Sequence, residues 1–261
     1  MTRPTAVVTG AAAGIGRAIA TRLHAAGHLV AAYDVDEPGL ARLATELPGL
    51  RTGRLDVRDA EQWRVRLTEL AEHTSGRLDV LVNNAGILAA GAFADIDLTT
   101  QQRMVDINVT GVLNGCHTAY PYLRDTPGAH VVNLASASAL YGQPELATYS
   151  ATKFAVRGLT EALDLEWAGD DIAVDAVWPL FVRTAMTEGL DTASSRSLGI
   201  RLTPDDVAAE VLDLVQARRS RLRPRSPHHA VGRQAKALMA SSALAPAWLM
   251  RTINGRIAGG R

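Results

Sequence analysis

The chain holds a single cysteine, Cys116, among its 261 residues, which excludes an internal disulfide. It has no excess of charge: 27 basic residues meet 27 acidic ones, so no overall field would draw it to nucleic acid or to an anionic membrane surface. No apolar run approaches the roughly eighteen residues of a membrane span, because Gly, Asp or Arg interrupts each one within a few positions. The opening MTRPTAVVTG enters an apolar strand pattern with no basic n-region, long h-region or cleavage site. With the lone thiol, this makes the cytoplasm the expected location. The seven histidines are scattered, and the adjacent His228 and His229 lack a Cys, Asp or Glu at ligand spacing, so no metal site is expected. Lysine is nearly missing, occurring only at 153 and 236 against 25 arginines. Where a plain surface cation suffices this sequence uses Arg, which sets Lys153 apart.

What the chain does have is alternation. Short apolar runs at residues 6–9, 29–33, 51–55, 79–82, 130–134 and 172–177 are separated by stretches of period near 3.6, among them 15–26, 60–70, 101–123, 146–167 and 204–217. That is the rhythm of βαβ units. It predicts one doubly wound, Rossmann-type α/β domain over residues 1–218, a mainly parallel sheet with helices on both faces. Thr99, followed three residues later by Gln102, reads as a capping box at the head of the long helix. After residue 218 the sequence turns basic and Pro-containing (RRSRLRPRSPHH) and then apolar. Residues 219–261 are therefore read as a surface loop and one packing helix near 233–251, with a membrane-surface or partner-binding amphipathic helix as the alternative.

Two segments carry chemistry. The first strand runs into Thr9-Gly10-Ala11-Ala12-Ala13-Gly14-Ile15-Gly16 and then a helix. Gly10 allows a tight turn, Gly14 lets backbone approach a pyrophosphate, and Gly16 lets helix and strand pack closely, while the helix N-terminus favours the anion. Asp34 ends the second strand, eighteen residues beyond Gly16. Its carboxylate would accept hydrogen bonds from ribose hydroxyls and repel a 2′-phosphate, predicting NAD as the cofactor in preference to NADP. The second segment is Tyr149-Ser150-Ala151-Thr152-Lys153, where Tyr149 and Lys153 share one helix face. A phenol with its ordinary pKa near 10 is a poor acid/base at neutrality. An adjacent ammonium and a positive nicotinamide would favour phenolate and make proton exchange feasible.

These segments are joined by Asp56-Val57 after the third strand, Asn83-Asn84-Ala85-Gly86 after the fourth, Asn108 in the long helix, Ser136 thirteen residues before Tyr149, and Pro179 through Thr184 after the sixth strand. In this order and spacing, over about residues 5–205, the chain resembles the non-extended branch of the short-chain dehydrogenase/reductase family. The resemblance implies cofactor contacts from Gly10, Gly14, Ile15, Gly16 and Asp34. It places adenine against Asp56 and Val57, the nicotinamide-side ribose beside Asn83 and the backbone through Ala85 and Gly86, and the carboxamide near Pro179, Val182 and Thr184. Ser136 would orient the substrate oxygen, with Ser138 as its rival. Tyr149 would exchange the proton, Lys153 would bind ribose and lower the phenol pKa, and Asn108 would hold a water in the proton relay. Two departures stand out: Leu180 replaces a Gly usual after the Pro, and the tail lacks an obvious apolar seventh strand. The resemblance also implies a homodimer or homotetramer that buries the helices around 101–123 and 147–168.

The substrate is expected to meet Leu88, Ala89, Ser138, Tyr141, Gln143, Leu146, Leu180, Phe181, Met186 and Leu190, a mostly apolar set with Arg183 as the one basic candidate close in sequence. An uncharged hydrophobic ketone or alcohol fits such walls. Residues 185–203, with Gly189, Gly199 and three serines at 194, 195 and 197, read as a mobile lid. The expected activity is NAD(H)-dependent hydride transfer between nicotinamide and a carbonyl or secondary alcohol of a small molecule. An NAD(H)-binding sensor or scaffold without turnover is the alternative. An epimerase or dehydratase of the extended branch is disfavoured, because the chain has neither a TGxxGxxG turn nor a longer substrate domain.

Overall fold

The computed structural model describes residues 3–217, 226–244 and 246–257. Its strands are β1 (Thr5–Thr9), β2 (Leu29–Asp34), β3 (Arg51–Arg54), β4 (Val80–Asn83), β5 (His130–Leu134), β6 (Ala173–Trp178) and β7 (His228–Ala230). Its helices are α1 (Gly14–Ala25), α2 (Glu37–Glu46), α3 (Ala60–Thr74), α4 (Leu98–Val105), α5 (Gly111–Arg124), α6 (Ala147–Glu166), α7 (Ala193–Leu198), α8 (Pro204–Gln216), α9 (Gly232–Leu244) and α10 (Ala247–Ile257). The strands form one sheet in the order β3-β2-β1-β4-β5-β6-β7, every neighbouring pair parallel. Strands β1, β4 and β6 are buried along their whole length, which is why they read as unbroken apolar runs. Edge strand β3, RTGR, is mostly exposed and reads weakly for the same reason.

Strand alternation splits the core in two. Val7 faces Trp63 and Leu67 of α3, Leu123 of α5 and Val156 of α6. Ala6 and Val8 face Ile19 and Leu23 of α1, Leu43 of α2, and Val207 and Val211 of α8. The direction of strand addition reverses between β1, which is followed by β2 on one side, and β4, which is followed by β5 on the other. Parallel sheets open a crevice at such a point, beyond the carboxyl ends of the strands.

Three expectations are corrected. The long helix starts at Leu98, because the Asp97 carboxylate accepts the Thr100 N–H at 2.8 Å. Thr99 already lies within the first turn, so Asp97 supplies the cap expected of Thr99. The helix is also interrupted, since Asp106–Thr110 form a π-helical segment between α4 and α5. A seventh strand does exist. It is only His-His-Ala, too short to show alternation, and side chains help hold it: His229 Nε2 lies 2.9 Å from Asp175 Oδ1 on β6, and His228 Nε2 2.8 Å from Glu161 Oε1 on α6. These carboxylates are distant in sequence, so spacing could not reveal them.

Strand β7 completes the sheet, so His228–Ala230 share it with the strands before residue 218. The tail carries two helices where one was expected, with Pro246 standing just ahead of α10. Most of the basic run, residues 218–225, lies outside the described residues. Among the described residues no helix is long and apolar enough to cross a membrane, and no group of three or more His, Cys, Asp or Glu is placed to hold a metal ion.

Candidate active site

The crevice is a cleft of about 370 Å³ that runs from the glycine turn to the head of α6. At the turn, α1 begins after Ala13, which offers no side-chain cap, and no acidic residue lies in the first turn. The N–H groups there are left for an outside acceptor, and an anion is the acceptor that suits the helix dipole. Gly14 takes φ +55° and Gly10 φ +64°, conformations that side chains disfavour. A Cβ on Gly16 would stand 2.1 Å from the Gly10 carbonyl oxygen, so Gly16 serves helix–strand packing and does not line the cleft. Asn84 secures the turn from the neighbouring strand, its Nδ2 donating to the Thr9 carbonyl at 2.8 Å and the Gly10 carbonyl at 3.2 Å. Thr9 Oγ1 in return accepts the N–H groups of Asn84 and Ala85 at 3.0 and 3.1 Å.

Asp34 lines the same end of the cleft, and its carboxylate is fixed by two backbone N–H donors, Ala12 at 2.9 Å and Asp36 at 3.1 Å. Its neighbour Val35 presents no cation. The nearby arginines are engaged with other carboxylates: Arg17 with Glu46, Arg54 with Glu37 at 3.6 Å and Arg42 with Asp36 at 3.9 Å. Asp56 and Val57 also line the cleft. The Arg58 guanidinium, 2.6 Å from Asp56, holds that carboxyl below its usual range.

Asn83 is a correction. It ends β4 with its side chain turned into the sheet, where Nδ2 donates to Asn133 Oδ1 at 2.9 Å and to Cys116 Sγ at 3.4 Å. The residues that reach the cleft are Asn84, Ala85 and Gly86. Cys116 is itself inert, burial pushing its thiol up to about 12.

At the other end, Ser136 follows β5, and Tyr149 and Lys153 lie one turn apart on α6; all three line the cleft. Burial pushes the Tyr149 phenol up to about 12, and the nearby Ser136 hydroxyl opposes this in smaller measure. Lys153 is 6% exposed; its Nζ donates to the Leu134 carbonyl at 2.7 Å and stands 5.6 Å from the Tyr149 ring centroid. Burial lowers its pKa to about 8. Burial thus holds both groups toward their neutral forms. Ser138 sits behind Ser136, Oγ to Oγ 3.3 Å.

Asn108, in the π segment, has its amide committed: Oδ1 accepts the Ile87 N–H at 2.8 Å, and Nδ2 donates to the Ile87 carbonyl at 2.9 Å and to Thr152 at 3.2 Å. Its side chain straps the loop after β4 to α6.

Leu88, Ser138, Gln143, Leu180, Phe181 and Met186 line the substrate side, and Pro179, Val182 and Thr184 complete that wall. Ala89, Tyr141, Leu146 and Leu190 do not line it. Leu146 is 1% exposed, packed just ahead of α6, and Tyr141 is buried as well. Arg183 is absent from this wall as well, whereas Arg103 of α4 reaches it. Nothing in the local pattern around Arg103 marks it, since a helix of uncertain start gives no facing direction. The lid segment is ordered, with a short 3₁₀ turn at Ala185–Thr187 and then α7. Glu145 ties it down. With φ +65°, it accepts the Ala193 N–H on its carboxylate and the Gly91 N–H on its carbonyl, both at 2.9 Å.

The family model described as short chain dehydrogenase matches residues 4–195. A 3-alpha-(or 20-beta)-hydroxysteroid dehydrogenase of Mycobacterium tuberculosis is 36% identical over 211 residues, 80% of this chain and 81% of that protein. Among solved structures, a short-chain dehydrogenase/reductase from Burkholderia phymatum in complex with NAD is similar at TM-score 0.79 and 29% identity, covering 93% of this chain and 92% of its own. A 3-ketoacyl-(acyl-carrier-protein) reductase from Brucella melitensis complexed with NADH is similar at TM-score 0.78 and 27% identity, covering 87% and 95%. The chain belongs to the short-chain dehydrogenase/reductase family. It is an oxidoreductase of the class that acts on CH–OH and C=O groups, with a nucleotide cofactor site.

Proposed function

We infer that the protein uses NAD(H) to interconvert a carbonyl and a secondary alcohol on a small, largely hydrophobic substrate. The observation that carries this reading is the single cleft with an uncapped glycine turn and Asp34 at one end and Ser136, Tyr149 and Lys153 at the other. The N–H groups at the head of α1 suit a pyrophosphate, and the Asp34 carboxylate suits a ribose with both hydroxyls free. Bound there, the nicotinamide accepts or supplies the hydride. The Ser136 hydroxyl donates a hydrogen bond to the substrate oxygen, favouring it as charge develops. The Tyr149 hydroxyl gives its proton to that oxygen during reduction and takes it back during oxidation. Lys153 adds positive charge beside the phenol, opposing the desolvation that otherwise keeps the proton on it.

The preference for NAD is supported by Asp34 and by the engagement of Arg17, Arg42 and Arg54 with other carboxylates. The two solved relatives that hold NAD or NADH agree with it. Leu88, Leu180, Phe181 and Met186 support a hydrophobic substrate, in keeping with a hydroxysteroid dehydrogenase among the relatives. The reading includes α7 and its flanks as a lid, and action in the cytoplasm as a homodimer or homotetramer. Exposed Leu113 on α5 and Phe154 on α6 support the assembly.

The test is a panel of secondary alcohols and ketones offered with each nicotinamide cofactor, followed at the reduced-nicotinamide absorbance band. Turnover with NAD(H) at kcat/KM roughly tenfold or more above NADP(H), about 1.4 kcal/mol, is expected. Equal or better turnover with NADP(H) would defeat the cofactor assignment, and no turnover with any substrate would favour a cofactor-binding protein without catalysis.

A further inference from the structure

Tyr149 sits in a part of its helix that lacks the usual support. It is the third residue of α6, and Leu146, at the head of that helix, offers no side-chain cap. A first turn of this kind keeps N–H groups without an intrahelical partner and is prone to fray. A group that exchanges a proton with a bound substrate must nevertheless be held closely, since a displacement of about 1 Å can cost ~10²-fold in rate. The neighbouring Thr148 shows what holds it. Its hydroxyl donates to Gln101 Oε1 at 2.6 Å, and Gln101 Nε2 donates to the carbonyls of Phe93 at 3.0 Å and Ile96 at 2.9 Å. Both N–H donors of the Gln101 amide are therefore used, which fixes the direction of its oxygen. Gln101 belongs to α4, whose head Asp97 caps, and is only 8% exposed. One buried amide thus joins the segment after β4, α4 and the first turn of α6. Asn108 makes the next tie along, donating to Thr152 at 3.2 Å. The two amides grip α6 at the residues just before Tyr149 and just before Lys153.

Taking the oxidoreductase reading as its basis, we propose that Gln101 is a positioning residue for the reaction: acting through Thr148, it sets where the Tyr149 hydroxyl meets the substrate oxygen. Gln101 does not itself line the cleft, so it reaches the chemistry through the helix. The same amide holds the Phe93 and Ile96 carbonyls, so the segment after β4 and the Tyr149 turn are placed relative to each other. The Gly91 N–H, bonded to the Glu145 carbonyl at 2.9 Å, is a second tie between that segment and the approach to α6. Removing the Thr148 hydroxyl would leave Gln101 Oε1 without its donor and the first turn without this hold. A bond that served stability alone would cost rate equally whatever group carries the proton. A positioning bond costs rate only while Tyr149 carries it.

The test pairs Thr148→Val, which removes the hydroxyl at nearly constant shape, with Thr148→Ser, which keeps it. With a substrate whose chemical step limits turnover, Thr148→Val should lower kcat roughly tenfold while NADH affinity stays within about twofold, and Thr148→Ser should recover most of the loss. Gln101→Leu should match Thr148→Val in kcat, and the double variant should be about as slow as either alone. In a Tyr149→Phe background, Thr148→Val should change kcat by less than about twofold, because the group it positions is gone. Hydrogen exchange in the ligand-free protein supplies a reading that needs no substrate: amides 150–153 should exchange severalfold faster in Thr148→Val than in wild type, and near the wild-type rate in Thr148→Ser. Unchanged kcat in Thr148→Val, an equal loss with and without the Tyr149 hydroxyl, or unchanged exchange would each overturn the proposal. A Tyr149→Phe enzyme as fast as wild type would sink the proton-exchange reading, whereas a slow Tyr149→Phe beside a fast Thr148→Val would sink this one alone.

Discussion

Lys153 is displaced from ordinary behaviour on physical grounds that can be tested without a substrate. Its ammonium is buried against the Leu134 carbonyl, and burial lowers its pKa from 10.5 to about 8. The unfolded chain keeps this proton up to pH ~10.4, while the folded chain releases it near 8. Between those values the unfolded state binds more protons, so stability rises with pH across that window and is flat below it with respect to this group. Tyr149 has the opposite sign at higher pH: its folded pKa is raised to about 12, so stability falls once the pH exceeds ~10. Denaturant unfolding of the ligand-free protein at pH 7 and at pH 10 should show wild type gaining, relative to Lys153→Met, on the order of 2–3 kcal/mol. Parallel pH slopes for the two proteins would contradict the burial argument. Tyr149, Lys153, Ser136 and Asp34 were legible in the sequence because spacing on one helix or at one strand end fixes their neighbourhood. Asn83 and Asn84 were not separable, because the register of β4, and hence which of the two amides faces the sheet, is a tertiary property. The same applies to Leu146 and Gln143, where burial and cleft exposure depend on how the segment after β5 folds back.

Among the elements, α7, the proposed lid, is held by a contact that no local pattern announces. Glu145 precedes α6, yet its carboxylate accepts the first N–H of α7, forty-eight residues on. An acceptor at a helix N-terminus is worth ~1 kcal/mol, small for global stability but large for a six-residue helix that follows the cleft-lining Ala185–Thr187 turn in the chain. Glu145→Ala should therefore raise the KM for the substrate severalfold, lower kcat less, and leave NADH affinity within about twofold, since the cofactor end is built on β1 and α1. Steady-state kinetics with a cofactor titration would check this; an unchanged KM would show that α7 holds without the clamp. Elements that form unbroken apolar runs or show an apolar period of 3.6 were read correctly, as for β1, β4, α6 and α8. The misread ones lack such a period or depend on distant partners. β7 is two histidines and an alanine stitched to Asp175 and Glu161, and the break between α4 and α5 at Asp106–Thr110 preserves a helix-like apolar pattern on both sides. Asp97 took the capping role expected of Thr99 because two good capping residues lie two positions apart.

At the scale of the molecule, the doubly wound sheet was legible almost entirely, because alternating apolar strands and amphipathic helices leave few topologies that bury both faces. The cleft follows from the topology, since the reversal between β1 and β4 places Gly10, Asn84 and the loop after β5 at one edge. Substrate identity was not legible, because the walls come from three separate loops and from Arg103 of α4, whose mutual arrangement is set only in the folded chain. The central assignment is Tyr149 as the proton-exchanging group for hydride transfer with NAD(H). It is tested most directly by comparing wild type with Tyr149→Phe, using a substrate whose chemical step limits turnover, across the range from neutral to alkaline pH. Wild-type oxidation should rise with pH, while Tyr149→Phe should bind NAD within a few fold of wild type and turn over roughly 10² to 10⁴ times more slowly at every pH. Near-wild-type rates in Tyr149→Phe over that range would contradict the assignment and move the proton to Ser136 or to a bound water.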